Sequence, residues 1–362
     1  MSYTMHRVDN GDGWELAFKQ CHPVAGTTTG RSPLLLIPGY GMNSFPLGYH
    51  PSGQSLEQTL CARGFEVWSC NLRGQDPSRS IGGSKLYGIR DLALVDLPRA
   101  IDYALANTRS GASELSLIGC SLGGTTAMTY LALWEDPRVK ALVNVGGPLR
   151  WVEIHPLLRF VFSCPELVGM VPMMGTRTLA AFALPLLARF PALLHMYMHP
   201  EIIDMDQAHE FVNTVSDPNR QLNMEMAYWF KSRDLFIDGT NVSEAFAGFD
   251  RPLLTVVSNA DGIVPAATAR YPVEIAKSPK AEVLYVGTND IRFAHADLYI
   301  SNHAHEHFFE PMLEWLESIE PLPAAKKAPA KKAAAAKAPA KKAPAKKAPA
   351  KKAPEKKASA KK

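Results

Sequence analysis

A glycine-rich turn at residues 119–124, with the sequence Gly-Cys-Ser-Leu-Gly-Gly, separates a short apolar run from a helical pattern. The run Leu115–Ile118 predicts a buried strand, and the helix is expected from Leu122 to about residue 133. A turn this tight needs small residues around Ser121, and it projects the serine hydroxyl above the carboxyl edge of a sheet. The pattern therefore predicts an accessible nucleophile between strand and helix. A helix that merely packs closely against a sheet is the simpler alternative.

Short apolar runs and helical patterns alternate on both sides of this turn. A hairpin is expected over residues 8–18, and further strands are expected at Leu34–Ile37, Val139–Val145, Leu253–Val257 and Val283–Val286. Alternation at this spacing implies a mostly parallel sheet with helices on both faces. The predicted fold class is therefore α/β.

The alternation stops after Gly147 and resumes at Leu253. Residues 152–250 are therefore expected to form a helical cap, inserted between the two parts of the core. Those two parts are residues 1–151 and residues 251–320.

The expected cap begins with a strongly apolar stretch. Residues 151–199 contain only five charged side chains, which are Glu153, Arg159, Glu166, Arg177 and Arg189. The Leu, Met and Phe side chains predict an apolar roof over Ser121, although ordinary helix packing gives the same composition. A transmembrane span at 178–198 is a further alternative. We disfavour it because an arginine and two prolines interrupt the run, which lies between strands of one sheet.

The chain ends in a lysine-rich segment. Residues 321–362 hold 15 Lys and one Glu in repeats of Ala-Lys-Lys-Ala-Pro, whereas residues 1–320 carry 24 basic and 34 acidic side chains. Frequent proline and the near absence of large apolar side chains predict a disordered basic tail. Such a flexible polycation is expected either to bind nucleic acid or another polyanion through counterion release, or only to keep the protein in solution.

The cysteines bear on the cellular location. Five are scattered along the chain without a Cys-x-x-Cys pair, which argues against a disulfide framework and against a cysteine-based zinc site. The first residues lack the basic start and apolar run of a secretory signal. The expected location is therefore the cytoplasm.

A serine hydroxyl is a weak nucleophile at neutral pH and needs a general base. His295 is the expected base, because it lies in the loop between the last predicted strand and the final predicted helix at 298–319. His303, His305 and His307 compete, but they fall within that helix and would mostly point at solvent. His303 and His307 are also four residues apart, which allows a metal pair. Without a His-Glu-x-x-His pattern, we expect no metal and no organic cofactor.

The base in turn needs a carboxylate that orients it and stabilises its charged form. Asp261 is the expected partner, because it follows the strand Leu253–Val257, although an Asp-Gly turn explains its position equally well. Asp290 and Asp297 are rivals that lie close to His295 in sequence. We expect Asp297 to cap the final helix instead.

A developing oxyanion requires two backbone donors. The first is expected to be the amide of Leu122, directly after the nucleophile. The second is expected to be the amide of Tyr40, in the loop Pro38–Asn43 that follows the strand Leu34–Ile37. A simple glycine turn is the alternative for this loop.

Taken together, the motifs resemble those of the α/β-hydrolase superfamily over about residues 5–320. The matching pieces are Pro38-Gly39-Tyr40-Gly41, Asn71-Leu72-Arg73-Gly74, Gly119-Cys120-Ser121-Leu122-Gly123-Gly124, Asp261 with Val264-Pro265, and His295-Ala296-Asp297-Leu298. The stretches 66–74 and 96–103 are similar to acid lipases, and the glycine box resembles polyhydroxyalkanoate synthases, which use cysteine as nucleophile. The family's usual His-Gly is Pro38-Gly39 here, and its usual Arg-Gly-x-Gly continues as Gln75-Asp76.

The resemblance implies a serine ester hydrolase of the esterase or lipase kind, acting on a small-molecule or lipid acyl ester through Ser121, Asp261 and His295. The chain order Ser, Asp, His is that of the family's catalytic triad. An acyltransferase or a polyhydroxyalkanoate-related enzyme with the same triad is an alternative. A scaffolding protein that the basic tail tethers to DNA or to a polymer granule is another.

Overall fold

The computed structural model of the chain describes residues 1–23, 31–163 and 194–320. The predicted tail at 321–362 and most of the alternative span at 178–198 lie outside the described residues. Among the residues described, no helix combines the length and the apolar character needed to cross a bilayer.

Strands and helices alternate through the described ranges. The strands are β1 (Ser2–Asp9), β2 (Trp14–His22), β3 (Leu34–Ile37), β4 (Val67–Asn71), β5 (Arg79–Ser80), β6 (Leu115–Cys120), β7 (Val139–Val145), β8 (Phe236–Ile237), β9 (Thr240–Asn241), β10 (Leu253–Ser258) and β11 (Ala281–Val286). The α-helices are α1 (Leu56–Ala62), α2 (Ile89–Asp91), α3 (Leu97–Asn107), α4 (Leu122–Trp134), α5 (Pro156–Val161), α6 (Arg220–Ser232), α7 (Val242–Phe246), α8 (Ala266–Ile275), α9 (Asp297–Ile300) and α10 (Glu310–Ile319). The other helical elements are the 3-10 helices Phe45–Leu47, Pro200–Ile202 and Met205–Thr214, and the π-helical segments Leu92–Asp96 and His305–Phe309.

One main sheet organises the described part of the chain. Its strand order is β1-β2-β4-β3-β6-β7-β10-β11, with β5 paired to β2. The hairpin β1–β2 and the pair β2–β4 are antiparallel, whereas every pairing from β4 through β11 is parallel. The expected mostly parallel sheet is therefore confirmed, and the carboxyl ends of β3, β6, β7 and β10 meet at one edge.

Helices pack on both faces of this sheet. Since successive side chains of a strand point to opposite sides, each buried strand contacts both layers of helices. In β3, Leu35 and Ile37 pack into one buried cluster, which also holds apolar residues of α3, α4, α7 and α8. Leu34 and Leu36 pack into the other cluster, with residues of α1 and α10. This pattern explains why the parallel strands are continuous apolar runs rather than alternating ones.

The chain between β7 and β10 forms short helices and a small β8–β9 hairpin that the sequence did not predict. Its last part joins the core, since Val242 and Phe246 of α7 are buried in the same cluster as α4. Residues 164–193 of this segment lie outside the described residues. The limits 152–250 for a cap remain a prediction.

The prediction of a single final helix at 298–319 is wrong. Helix α9 ends before Ser301, whose backbone pairs with Ile203 of the insertion, and Asn302 N–H donates to Ile202 O at 2.8 Å. Helical structure resumes at Ala304 and continues to Ile319. The pairing with the insertion draws the backbone of Ser301 into an extended conformation, which interrupts the helix.

The cysteines also depart from expectation. Cys21 of β2 and Cys61 of α1 form a disulfide, with their Cα atoms 6.6 Å apart. Cys70 and Cys120 are free and buried. The scattered spacing of the five cysteines carried no signal for this pairing.

Candidate active site

Ser121 stands alone between β6 and α4. Its φ of 52° and ψ of −120° put it in a backbone region that non-glycine residues rarely adopt. The Ser121 amide donates to the carbonyl of Val145 at 2.8 Å, which ties the turn to the end of β7. Strain of this kind persists only where the surroundings impose it, and it is concentrated at functional sites. The side chain is half-buried at the carboxyl edge of the sheet.

Glycines around the turn permit the close approach of three backbones. A Cβ at Gly119 would lie 2.5 Å from the Cα of Gly124, and one at Gly123 would lie 2.2 Å from the carbonyl oxygen of Ile37. A Cβ at Gly39 would lie 3.0 Å from the Cβ of Ser121. The glycine box thus lets α4 start directly against β6, with the loop after β3 pressed against Ser121.

His295 and Asp261 meet across two loops at the same sheet edge. The Nδ1 atom of His295 is 2.6 Å from Oδ2 of Asp261, and the two side chains are 13% and 3% exposed. The other carboxylate oxygen of Asp261 accepts from the amides of Ile263 and Val264, both at 2.8 Å. With Nδ1–H donated to Asp261, Nε2 of His295 keeps its lone pair for a second partner.

The electrostatics of this pair make the imidazole of His295 more basic than usual. Burial by itself lowers the pKa of His295, but the charge and hydrogen bond of Asp261, together with the charge of Asp297, outweigh burial and raise that pKa above its ordinary value. A buried imidazolium beside a fixed carboxylate is therefore more stable than one in water.

The two rivals of Asp261 take other positions. Asp290 is exposed in the loop after β11. Asp297 is fully buried, and its carboxylate accepts from Ala294 N–H at 2.7 Å and from His199 N–H at 3.0 Å. The Asp297 carboxylate therefore links the insertion to the loop that carries His295. It does not cap the following helix as expected. Burial raises the pKa of Asp297 to about 7.

The competing histidines lie away from Ser121. His303, His305 and His307 are half-buried rather than pointing into solvent. The Nε2–H of His305 donates a hydrogen bond to the carbonyl of Gln54 at 2.7 Å. Residues of this group are absent from the described lining of the cavities that contain Ser121.

The two expected oxyanion donors flank Ser121. Leu122 is the first residue of α4, where backbone amides have no partner within the helix. Tyr40 lies in the loop after β3, and its phenol donates to the side chain of Asn223 in α6. The loop is also paired with the insertion, since Ser216 N–H donates to Gly41 O at 2.9 Å. Both amides are therefore carried by backbone that neighbouring elements hold in place.

Gln75 is a positioning residue that the sequence did not reveal. Its Nε2 donates to the carbonyls of Gly39 at 3.1 Å and Pro38 at 3.4 Å, and its Oε1 accepts from Leu72 N–H at 2.8 Å. The side chain links the loop after β4 to the loop that carries Tyr40. Gln75 stands at the variable position of the family's Arg-Gly-x-Gly, where Asp76 replaces the last glycine, so the pattern carried no signal for the glutamine.

Two cavities meet at Ser121 and His295. The first has a volume of about 310 Å³, and its described lining includes Met42, Leu194, Met198, Phe211 and Ile300. The second has a volume of about 250 Å³, and its described lining includes Trp151, Leu158, Phe162, Met226 and Phe230. Both are mainly apolar, and Tyr40 and Tyr197 contribute to both.

Tyr197 also had no sequence signal, because it lies inside the insertion. Its ring centroid is 6.4 Å from that of His295, and its carbonyl accepts from Ala296 N–H at 2.8 Å. Tyr197 is 43% exposed, and its ring lines both cavities. This ring forms a wall between insertion and core beside the imidazole.

Comparison with known proteins identifies relatives of the chain. The model of a family described as the alpha/beta hydrolase fold matches residues 32–293. No curated protein is significantly similar to the chain in sequence.

Solved structures of this fold align with most of the chain. An esterase from Rhodococcus sp. ECU1013 is 17% identical, with a TM-score of 0.59, over 87% of this chain and 99% of that one. A monoacylglycerol lipase from Paleococcus ferrophilus is 18% identical, with a TM-score of 0.56, over 84% and 100%. A bromoperoxidase from Bacillus anthracis is 15% identical, with a TM-score of 0.59, over 87% and 100%. At these identities the likeness concerns the fold alone.

Proposed function

Because this chain belongs to the α/β-hydrolase family, we propose that it is a serine hydrolase that cleaves carboxylic esters through Ser121, His295 and Asp261. The observation that carries the proposal is the 2.6 Å contact between His295 and Asp261, on an imidazole that lines the same cavities as Ser121. Nucleophile, base and orienting carboxylate are the groups that acyl transfer requires.

The first half of the proposed reaction forms an acyl-enzyme. The Ser121 oxygen attacks the acyl carbonyl while Nε2 of His295 takes the hydroxyl proton. The carbonyl electrons move to oxygen, where the amides of Leu122 and Tyr40 stabilise the negative charge. The intermediate collapses, the bond to the alkoxide breaks, and His295 returns its proton to the leaving alcohol.

The second half hydrolyses the acyl-enzyme. His295 removes a proton from water, and the resulting hydroxide attacks the acyl carbonyl. Collapse breaks the bond to Ser121, whose oxygen recovers the proton, and the carboxylic acid leaves. Asp261 holds the proton-bearing Nδ1 of His295 in place during both halves.

The proposed nucleophile is tested directly by covalent labelling. We expect a fluorophosphonate probe to form one adduct per active site, located by mass spectrometry on the peptide that contains Ser121. The probe phosphonylates serines that an adjacent base activates, and fluoride leaves. An adduct found only on other peptides, or no adduct on protein that hydrolyses esters, contradicts the proposal.

The apolar cavities indicate esters with medium or longer acyl chains as substrates. We expect kcat/KM for nitrophenyl esters to rise from acetate towards octanoate, by up to about fourfold per added methylene, since each buried methylene contributes about 0.8 kcal/mol. The rise ends when the acyl cavity is full. A steady fall in kcat/KM from acetate to octanoate contradicts this preference.

Two matched variants identify the cavity that holds the acyl chain. Thr214→Trp narrows the first cavity and Leu158→Trp narrows the second. The variant in the acyl cavity is expected to shift the preferred ester to shorter chains, while the other variant keeps the wild-type chain-length profile. The same profile change in both variants argues against separate cavities for the two halves of the ester.

A further inference from the structure

Three metal-ligating side chains gather on the part of the insertion that touches the His295 loop. His195, His199 and Glu201 each offer one ligand atom, and these atoms all lie within 4.8 Å of one another. The carboxylate of Glu201 contacts both rings, with 2.9 Å from Oε1 to Nε2 of His195 and 3.8 Å from Oε2 to Nδ1 of His199. The imidazoles stack with their centroids 4.6 Å apart and an interplanar angle of 13°.

This arrangement is close to what a zinc ion needs. Zn²⁺ binds imidazole nitrogen and carboxylate oxygen at about 2.0–2.2 Å in a tetrahedron, which places neighbouring ligand atoms about 3.3 Å apart. One pair is already closer than that, and rotations of the exposed Glu201 side chain and the half-buried His195 ring can adjust the others. Two histidines and one carboxylate leave the fourth position for water.

The groups are also available for binding. The Nδ1 atom of His199, which faces Glu201 at 3.8 Å, is beyond hydrogen-bond distance of that carboxylate, and the other ring nitrogen, Nε2, is buried and has no hydrogen-bond partner among the described residues. Glu201 is 63% exposed, so an ion can enter the cluster from solvent. The neighbouring backbone is fixed, because His199 N–H donates to the carboxylate of Asp297.

A second His-Glu-His group provides a comparison within the same molecule. His303, Glu306 and His307 also have ligand atoms within 4.8 Å of one another. The imidazole centroids of His303 and His307 are 6.2 Å apart at an angle of 71°, and the three residues lie within five positions of the chain. In the first cluster, by contrast, the carboxylate already contacts both imidazoles.

We propose that His195, His199 and Glu201 bind one divalent transition-metal ion, with Zn²⁺ as the preferred ion. The bound ion stabilises residues 194–202 against the loops of the candidate active site. Those loops are already joined to this segment by two backbone bonds, Gly262 N–H to Met196 O at 3.1 Å and Ala296 N–H to Tyr197 O at 2.8 Å. The ion would thereby fix Tyr197 beside His295 without touching the reacting atoms.

The test is zinc binding by the full chain, purified without a polyhistidine tag and stripped with a chelator. Titration calorimetry with ZnCl₂ is expected to show tight binding at one ion per chain. The double variant His195→Ala/His199→Ala is expected to lower the affinity at least about 100-fold, because two of three ligands are lost. The matched variant His303→Ala/His307→Ala is expected to retain wild-type affinity. MgCl₂ is expected to give no signal, because Mg²⁺ prefers oxygen ligands.

A second measurement reports on the segment itself. Hydrogen exchange of the peptide covering residues 194–202 is expected to slow when ZnCl₂ is added to the wild type, and not in His195→Ala/His199→Ala. Wild-type binding weaker than a Kd of about 100 µM overturns the proposal. So does tight binding that survives in His195→Ala/His199→Ala, or that is lost only in His303→Ala/His307→Ala. Unchanged exchange in zinc-loaded wild type overturns the stabilising role.

Discussion

Ser121→Ala is expected to lower kcat for ester hydrolysis by about 10⁴-fold or more, because it removes the atom that forms the acyl-enzyme. The oxyanion amides and the cavities survive the substitution, so a small residual rate above that of water is expected. The measurement is steady-state hydrolysis of a nitrophenyl ester by wild type and variant at equal folded concentration, judged by circular dichroism.

The chain provides a matched control for this loss. Ser258 also ends a parallel strand, β10, and is buried with a hydroxyl that has no partner among the described residues. Ser258→Ala is expected to keep kcat within about twofold of wild type. Wild-type hydrolysis by Ser121→Ala would show that another group is the nucleophile.

His295→Ala and Asp261→Asn are expected to lower kcat by a similar order, about 10⁴-fold each. When residues act as one unit with the nucleophile, combining their substitutions lowers kcat little more than a single substitution does. The double variant Ser121→Ala/His295→Ala is therefore expected to lie within about tenfold of Ser121→Ala. If kcat of the double variant falls by the product of the two single losses, the residues do not act as one unit.

Two rivals serve as controls for these substitutions. His307→Ala and Asp290→Asn alter a half-buried helix histidine and an exposed loop carboxylate, and both are expected to keep wild-type kcat. Near-zero activity in His307→Ala, with full activity in His295→Ala, would show that His307 rather than His295 is the general base.

The same base predicts a pH profile. Only neutral imidazole accepts the proton of Ser121, and Asp261 raises the pKa of His295 above 6.5, after burial is overcome. The rise of kcat/KM with pH is therefore expected to be centred above 6.5 in wild type. Asp261→Asn removes the charge that raises the pKa and is expected to move the rise to lower pH in the residual activity.

The elements predicted from sequence were those whose signals are local. Val139–Val145 and Ala266–Ile275 agree with expectation because apolar runs and helical spacing are properties of neighbouring residues. The hairpin turn at Asn10–Gly13 is likewise set by its own residues. The break at Ser301 could not be predicted, since its cause is a backbone pairing with Ile203, almost one hundred positions away.

In the candidate site, too, the residues with local sequence signals could be predicted and those that depend on distant contacts could not. The positions of Ser121 and His295 follow from strand ends and turns that are visible in the sequence. Gln75 and Tyr197 act through contacts with distant backbone, at Gly39 and Ala296 respectively. A glutamine in a loop and a tyrosine in an apolar segment have no distinguishing pattern until the fold brings them to the site.

The pair of cavities that meet at Ser121 has a kinetic consequence for the fate of the acyl-enzyme. In the proposed mechanism, one cavity would hold the acyl group once the first product departs, and the other would be vacant. That vacancy is lined mainly by apolar side chains, where water finds few of the polar partners it needs. An alcohol with an apolar tail would gain burial energy there. Under the proposed mechanism we therefore expect the ratio of acyl transfer to hydrolysis to rise with the hydrophobicity of the acceptor, since the acceptor would use the surface that bound the leaving group.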